Sequence, residues 1–274
     1  MTLLFKFFAV FMDYFLIYLL LGCFSGFVAG LFGIGGGMVI VPVLIFSFKA
    51  QGLSPTIITH LAIGTSLACI ISTSISAILA QHKRGAILWP VVKKMALWLL
   101  IGSIVGAQIA NQIPAHELKI LIGLFALLTA AQMFSGWKGK LDNIPLPKTL
   151  GLGIAGGSIG AASAIFGIGG GTFTVPYLTL HGVAMANAVA SASACGLPIA
   201  LGGAVGFMWS GWQTVSLPKE TWGFVHLPAF IAISMTSLVF AKLGVKMAHH
   251  LPAATLKKLF ACLLVIVGIH FIFD

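Results

Sequence analysis

Hydrophobic residues run along this chain in continuous stretches, near 8–31, 57–80, 88–111, 118–136, 150–166, 186–209, 223–246 and 256–273. Unbroken runs of about 20 apolar residues predict membrane-spanning helices; an outer-membrane barrel would instead show alternating segments of about 10 residues. Two shorter runs, 38–48 and 172–181, each follow a glycine cluster: "FGIGGG" at Phe32–Gly37 and again at Phe166–Gly171, with Pro42 and Pro176 five residues on. At ~1.5 Å per residue, ~11 residues cover about half of a ~30 Å hydrocarbon core. Each glycine-broken pair is therefore predicted to be a re-entrant hairpin or a discontinuous helix.

The two glycine clusters belong to a longer repeat. They align at an offset of 134 residues; "AIGTSLAC" (Ala62–Cys69) aligns with "AVASASAC" (Ala188–Cys195) at 126, and "IPAHELK" (Ile113–Lys119) with "LPAATLK" (Leu251–Lys257) at 138. Pro90 with Pro228 and Gly106 with Gly244 also keep the offset of 138. The chain divides into a first membrane repeat, 1–136, a polar linker, 137–148, and a second membrane repeat, 149–274. The expected fold is an all-α polytopic membrane protein, each half a glycine-broken pair followed by three transmembrane helices.

Positive charges orient that fold. If each glycine-broken pair begins and ends on one side, Lys83, Arg84, Lys93, Lys94, Lys138, Lys140, Lys148, Lys242, Lys246, Lys257 and Lys258 fall together, eleven of the 15 Lys and Arg. With eight plain crossings the division is only nine against six, so the first arrangement obeys the positive-inside rule better. It gives an odd number of crossings per half, hence inverted repeats, and places both termini on the non-cytoplasmic side.

Composition narrows the function. The chain is 59% hydrophobic and 7% charged with a mean hydropathy of +1.10, far from a soluble domain. Its net charge of +10 is read as cytoplasmic loops, not as a nucleic-acid surface. The five acidic residues, Asp13, Glu117, Asp142, Glu220 and Asp274, all lie in or near polar connections and chain ends. With no carboxylate at mid-bilayer, cation coupling loses its usual ligand and the substrate is expected to be anionic or neutral. Cys23, Cys69, Cys195 and Cys262 have neither disulfide nor zinc spacing. Asp13 and the lack of a cleavage site argue that the first segment is retained. A dinucleotide loop would need a βαβ unit and a downstream acid, and nothing matches a Ser-His-Asp set, a metal cluster or a Walker loop. The expectation is therefore no enzyme, no cofactor and no metal.

What remains is the chemistry of the glycines. Backbone broken at membrane depth leaves amide N–H groups that only a cavity or the protein can satisfy. Successive N–H groups in a glycine turn, followed by a helix N-terminus, form an anion nest. The substrate is expected between Gly33, Gly35, Gly36 and Gly37 of one half and Gly167, Gly169, Gly170 and Gly171 of the other. Thr65, Ser66, Ser191 and Ser193 could donate hydroxyls, with His60 and Asn187 close by. The competing structural role of each hydroxyl is a bond to its own helix carbonyl, and His60 also reads as an interfacial histidine. Gly22-Gly26-Gly30, Gly102-Gly106, Gly153-Gly157 and Gly202-Gly206 have the spacing of helix-packing glycines. Trp89, Trp137, Trp209, Trp212 and Trp222 near segment ends fit an aromatic belt.

"GLFGIGGGMVIVPVL", "AIFGIGGGTFTVPYL", "HLAIGTSLA" with its echo "NAVASASA", and the tail "GFVHLPAF…KLGVKMAHHLPAATLKKLFACLLVIVG" resemble the sulfite exporter TauE/SafE family of membrane permeases over nearly the whole chain. The resemblance implies a secondary carrier of the bacterial plasma membrane, built from two homologous halves, that moves sulfite, sulfoacetate or other organosulfonates, commonly outward. It marks the same glycines, the structural Pro42 and Pro176, and the Thr65-Ser66 pair; the second half reads Ser191-Ala192 where the family has Thr-Ser. The expected partners are a small anion and the bilayer, and homo-oligomerisation is left open. Alternating access, with the halves rocking about the glycine site, is the leading mechanism. A small-anion channel and a non-transporting subunit of a membrane complex are the alternatives. For coupling, a proton on a histidine, a proton on the substrate, or the membrane potential alone each fit the missing carboxylates.

Overall fold

The computed structural model describes residues 2–32, 36–135, 146–212, 214, 217–247 and 253–273. Among these lie ten helices: α1 (Thr2–Phe32), α2 (Gly37–Ala50), α3 (Pro55–His82), α4 (Trp89–Gln112), α5 (Ala115–Ser135), α6 (Thr149–Phe166), α7 (Gly171–Leu180), α8 (Met185–Gly211), α9 (Leu227–Met247) and α10 (Ala253–Phe273). A short antiparallel hairpin, β1 (Thr221–Trp222) and β2 (Val225–His226), stands between α8 and α9. Seven of the helices, α1, α3, α4, α5, α6, α8 and α9, are long and apolar enough to cross a membrane, and α10 has 21 residues. The chain is thus an all-α polytopic membrane protein in which each half contributes a long helix, a short one and three more long ones. At ~1.5 Å per residue the short helices reach only ~21 Å (α2) and ~15 Å (α7), less than a bilayer core.

Local chemistry sets the boundaries. Pro55 occupies the first turn of α3, where its missing N–H costs no helical bond, and Pro90 does the same for α4. Helix α6 ends in a Schellman arrangement: Gly167 takes the left-handed conformation at φ 66°, its N–H donates to the Ala164 carbonyl, and the Ile168 N–H donates to Ser163. Gly36, at φ 78°, caps the start of α2. The segment expected to be apolar helix from 223 begins instead with the β-hairpin, turned at Gly223 (φ 52°), and becomes helical only at Leu227.

Helices α3 and α8 form the centre, with 78% and 72% of an 18-residue apolar stretch of each buried against 28–50% for the other spans. Around them the six most extensive helix pairings all cross between the halves: α1 on α9, α4 on α6, α4 on α8, α5 on α10, α3 on α8 and α3 on α9. Every pairing has its counterpart with the halves exchanged, or is its own counterpart. The spaced glycines permit the close crossings. A Cβ on Gly22 would lie 2.5 Å from the Ile233 carbonyl oxygen and one on Gly26 2.7 Å from that of Ser237, while Gly30 and Gly244 press on the backbones of Ala241 and Phe27. On the other side of the molecule Gly102 and Gly106 press on Gly157 and Ala161. With lipid outside, such contacts rely on close backbone packing, since apolar surface alone gains nothing by leaving hydrocarbon. Trp209, Trp212 and Trp222 are exposed at helix ends and in the hairpin, in accord with an aromatic belt, while Trp137 and most of the linker lie outside the described residues.

Gly102 and Gly157 touch each other yet differ as substitution sites. A Cβ on Gly102 would collide with the Gly157 carbonyl oxygen, whereas one on Gly157 has only the Trp98 carbonyl oxygen, at 4.0 Å. Gly102→Ala is expected to destabilise by about 1–3 kcal/mol through overpacking. Gly157→Ala is expected to be neutral or stabilising by up to ~1 kcal/mol through helix propensity. Thermal unfolding of the two variants in detergent checks the opposite signs.

Candidate substrate site

The two glycine turns meet. A Cβ on Gly37 would collide with the carbonyl oxygen of Gly167 and lie 2.8 Å from the Ile168 Cα, and one on Gly167 would lie 2.9 Å from the Val41 Cγ2. Met38 and Thr172, which occupy equivalent places in the two halves, face each other, with the Thr172 hydroxyl 4.0 Å from the Met38 sulfur. Pro42 and Pro176 sit inside α2 and α7. Having no N–H, each leaves unbonded the carbonyl four residues back, those of Met38 and Thr172. Helices α2 and α7 both start at this junction, so their first amides, which lack helical acceptors, border it. Gly33 and Gly35 lie outside the described residues. Gly169, Gly170 and Gly171 belong to the second turn; Gly170 packs against α8 backbone, where a Cβ would be 3.2 Å from the Gly196 nitrogen and 3.3 Å from the Ala192 carbonyl oxygen. Phe125 of α5 stacks on Phe166 at 4.4 Å and lies 5.2 Å from Phe173, closing one side. Between α2, α5 and the second turn a cavity of about 20 Å³ is lined by Gly37, Met38, Pro42, Phe125, Phe166 and Ile168. That is room for about one water, so the turns stand closed on each other.

The polar side chains singled out from the sequence bind the frame around this junction. Ser66 donates to the Gly167 carbonyl at 2.8 Å and is the one that touches a glycine turn directly. Thr65 donates to the Leu61 carbonyl at 2.6 Å and accepts the His226 N–H at 2.9 Å; Ser191, its counterpart in the second half, accepts the Leu88 N–H at 2.9 Å. Leu88 and His226 are themselves counterparts, each just ahead of its half's fourth helix. The same hydroxyl in each half therefore caps the start of the other half's α4 or α9. His60 donates to the Ala110 carbonyl at 3.0 Å, Asn187 to the Ala86 carbonyl at 3.2 Å, and Ser193 to its own-helix Val189 carbonyl at 3.0 Å. Ala192, where the first half has Ser66, offers no hydroxyl, so the anchoring of a turn by this position belongs to one half only. Among the described residues no cluster of His, Cys, Asp or Glu could hold a metal ion.

Comparison with known proteins agrees with this architecture. The family described as sulfite exporter TauE/SafE matches residues 18–271. The chain belongs to that family. A probable membrane transporter protein of Haemophilus influenzae is 35% identical over 259 residues, covering 93% of this chain and 97% of its own. A probable membrane transporter protein of Methanocaldococcus jannaschii is 26% identical over 92% of each chain, and one of Bacillus subtilis is 31% identical over 61% of this chain and 67% of its own. No solved structure matches.

The part of this TauE/SafE protein that sequence reasoning missed is the hairpin. It wedges between the two central helices: the Phe224 N–H donates to the Phe207 carbonyl at 3.2 Å, Gly64 of α3 presses on the Phe224 carbonyl oxygen, and the Phe224 ring packs 5.3 Å from His60. Behind it His226 caps α9, its Nδ1 accepting the Ala229 N–H at 3.3 Å. Its ring lies 5.1 Å from Phe48 and 6.1 Å from Tyr18, whose hydroxyl accepts from Gln51 at 2.6 Å. The only available signal was "WGFVHLP", whose single glycine is a weak turn cue inside an apolar run.

His226 lies ahead of the α9 span and is 7% exposed. Burial drives its pKa down from 6.5 to about 4, with Glu220 pulling weakly upward. The neutral ring is thus favoured in the fold, so the unfolded chain binds the extra proton first. Stability is full above pH 6.5 and is lost as pH falls from 6.5 toward 4, by on the order of 3 kcal/mol at the low end. His226→Asn keeps an acceptor for the Ala229 N–H but cannot titrate. The expected outcome, read from melting temperature against pH in detergent, is a flatter profile for His226→Asn than for the wild type over that interval.

Proposed function

We propose that this protein is a secondary carrier of a small sulfur-containing anion, sulfite or an organosulfonate such as sulfoacetate, working by alternating access with the substrate held between the two glycine turns. The observation that carries the reading is the contact of Gly37, the first residue of α2, with the Gly167 carbonyl at the end of α6, which sets the two glycine turns of opposite halves against each other at one buried point. Neutral N–H donors at helix starts suit an oxyanion. The family name adds the sulfur chemistry, and the relatives named as probable membrane transporters add the transport. The positive-inside count supports inverted halves with both termini outside the cytoplasm of a bacterial plasma membrane.

Because the main pairings cross between halves, the bodies that move are mixed: α1, α2 and α3 with α9, against α6, α7 and α8 with α4, parting at the α3–α8 contact and the turns. Opening there enlarges the small junction cavity on one side at a time. Outward movement of an anion down the membrane potential needs no coupling ion.

Counterflow in liposomes tests this. Vesicles preloaded with unlabelled sulfite are expected to accumulate ³⁵S-sulfite transiently and saturably, and Gly170→Ala is expected to reduce that exchange at least tenfold while the protein still folds. Position 170 is suited to the test because its backbone is ordinary helix (φ −57°) and an added Cβ meets its neighbours at 3.1–3.3 Å. Non-saturable flux would favour a channel, and no flux of any sulfur anion would favour a subunit without transport of its own.

A further inference from the structure

Most buried and half-buried hydroxyls in this protein have a hydrogen-bond partner: Thr59, Ser66 and Ser76 reach a carbonyl elsewhere in the fold, and others donate to a carbonyl of their own helix. Ser72, Ser103, Thr129, Thr179 and Ser237 do so, to Cys69, Leu100, Phe125, Val175 and Ser234. Membrane helices ordinarily satisfy their hydroxyls on their own or a neighbouring carbonyl, so a buried hydroxyl with no partner at all is conspicuous. Among the described residues Ser25, Ser163, Thr174, Tyr177 and Ser234 have buried hydroxyls with no partner. Three of them are 0% exposed and adjoin a glycine turn: Ser163 and Thr174 within one helical turn of it in sequence, and Ser25 packed against it.

Each is placed by the turn itself. Ser25 of α1 backs the first turn, where a Cβ on Gly36 would be 2.8 Å from its carbonyl oxygen and 3.4 Å from its Cβ. Ser163 of α6 is the residue whose carbonyl accepts the Ile168 N–H in the second turn. Thr174 of α7 donates its N–H to the Gly170 carbonyl at 2.7 Å. An unpaired hydroxyl in a low-dielectric interior is unfavourable unless some state of the protein pairs it, and these three border the one junction where both halves break their helices.

We propose that Ser25, Ser163 and Thr174 are substrate-binding hydroxyls, which donate to the oxygens of an SO₃ head group when the junction opens to admit it. The inference rests on the carrier reading above and adds to it side-chain donors that complement the backbone amides. A sulfite or sulfonate head offers three oxygens as acceptors, and hydroxyls supply donors without a fixed cation that would hold the anion too tightly to release.

The test uses the sign of two effects. Ser25→Ala, Ser163→Ala and Thr174→Val remove a group that is unpaired in the closed protein, so each variant without ligand should melt at or above the wild-type temperature. The sulfite and sulfoacetate concentrations needed for half-maximal thermal shift should rise roughly tenfold or more, as for loss of a hydrogen bond to a charged group. Thr174→Ser should restore affinity, while Thr179→Val and Ser103→Ala, whose hydroxyls are spent on their own helices, should leave it unchanged. A fall in melting temperature without ligand, or unchanged affinity in all three variants while Gly170→Ala still abolishes binding, would overturn the proposal and leave the carrier reading standing. A wild-type protein that shifts with neither anion would overturn both.

Discussion

Hydrocarbon offers no hydrogen-bond partner, so a chain that breaks its helices inside a bilayer must meet the freed backbone groups from its own atoms. This protein breaks its backbone twice and places the two breaks against each other. The second turn is closed from within: a Schellman pair spends the Gly167 and Ile168 amides, and the Ser66 hydroxyl spends the Gly167 carbonyl. The contact is possible because Gly37 has no side chain; any Cβ there would occupy the space of the Gly167 oxygen. Around this contact the two short helices pack on the two central ones, α2 on α3 and α7 on α8.

Polar side chains near the junction act mostly as cross-braces. Thr65 and Ser191 take the same place in the two repeats and each fixes where the other repeat's fourth helix begins. His60 and Asn187 hold carbonyls at the ends of neighbouring connections. A hydroxyl in such a position makes a capping bond that would otherwise need water, which the interior excludes. In this chain Thr65 braces the start of α9, and Ser66 touches a glycine turn.

Much of the fold was legible because its signals are local. Run length separates α2 and α7 from the spanning helices, and the repeated glycine cluster marks both breaks. Partner choice was not legible. In a soluble helix the polar face announces the outside, but here lipid and core are equally apolar, so Leu128 facing out and Leu99 facing in carry the same hydropathy. The hairpin was hidden for the same reason, since Phe224 and Val225 read as a continuation of the apolar run into α9. Around the candidate site the glycines were visible as a pattern. The unpaired state of Ser25, Ser163 and Thr174 could not be, because pairing depends on rotamer and neighbour rather than on residue type.

The interleaving of the halves also governs how the protein can be made. When the ribosome has finished α5, the first repeat has its short internal contacts but none of the partners for the glycine face of α1, for α4, or for the outward side of α3, all of which come from the second repeat. Half a chain in the membrane is therefore an open scaffold with bare small-residue seams and one unanswered glycine turn. Inserting α6 supplies the partner of α4, α8 fills the centre, and α1 stays without its main neighbour until α9 arrives. At that seam packing lags far behind synthesis, so α1 has to wait in the membrane while the seven helices between it and α9 are made.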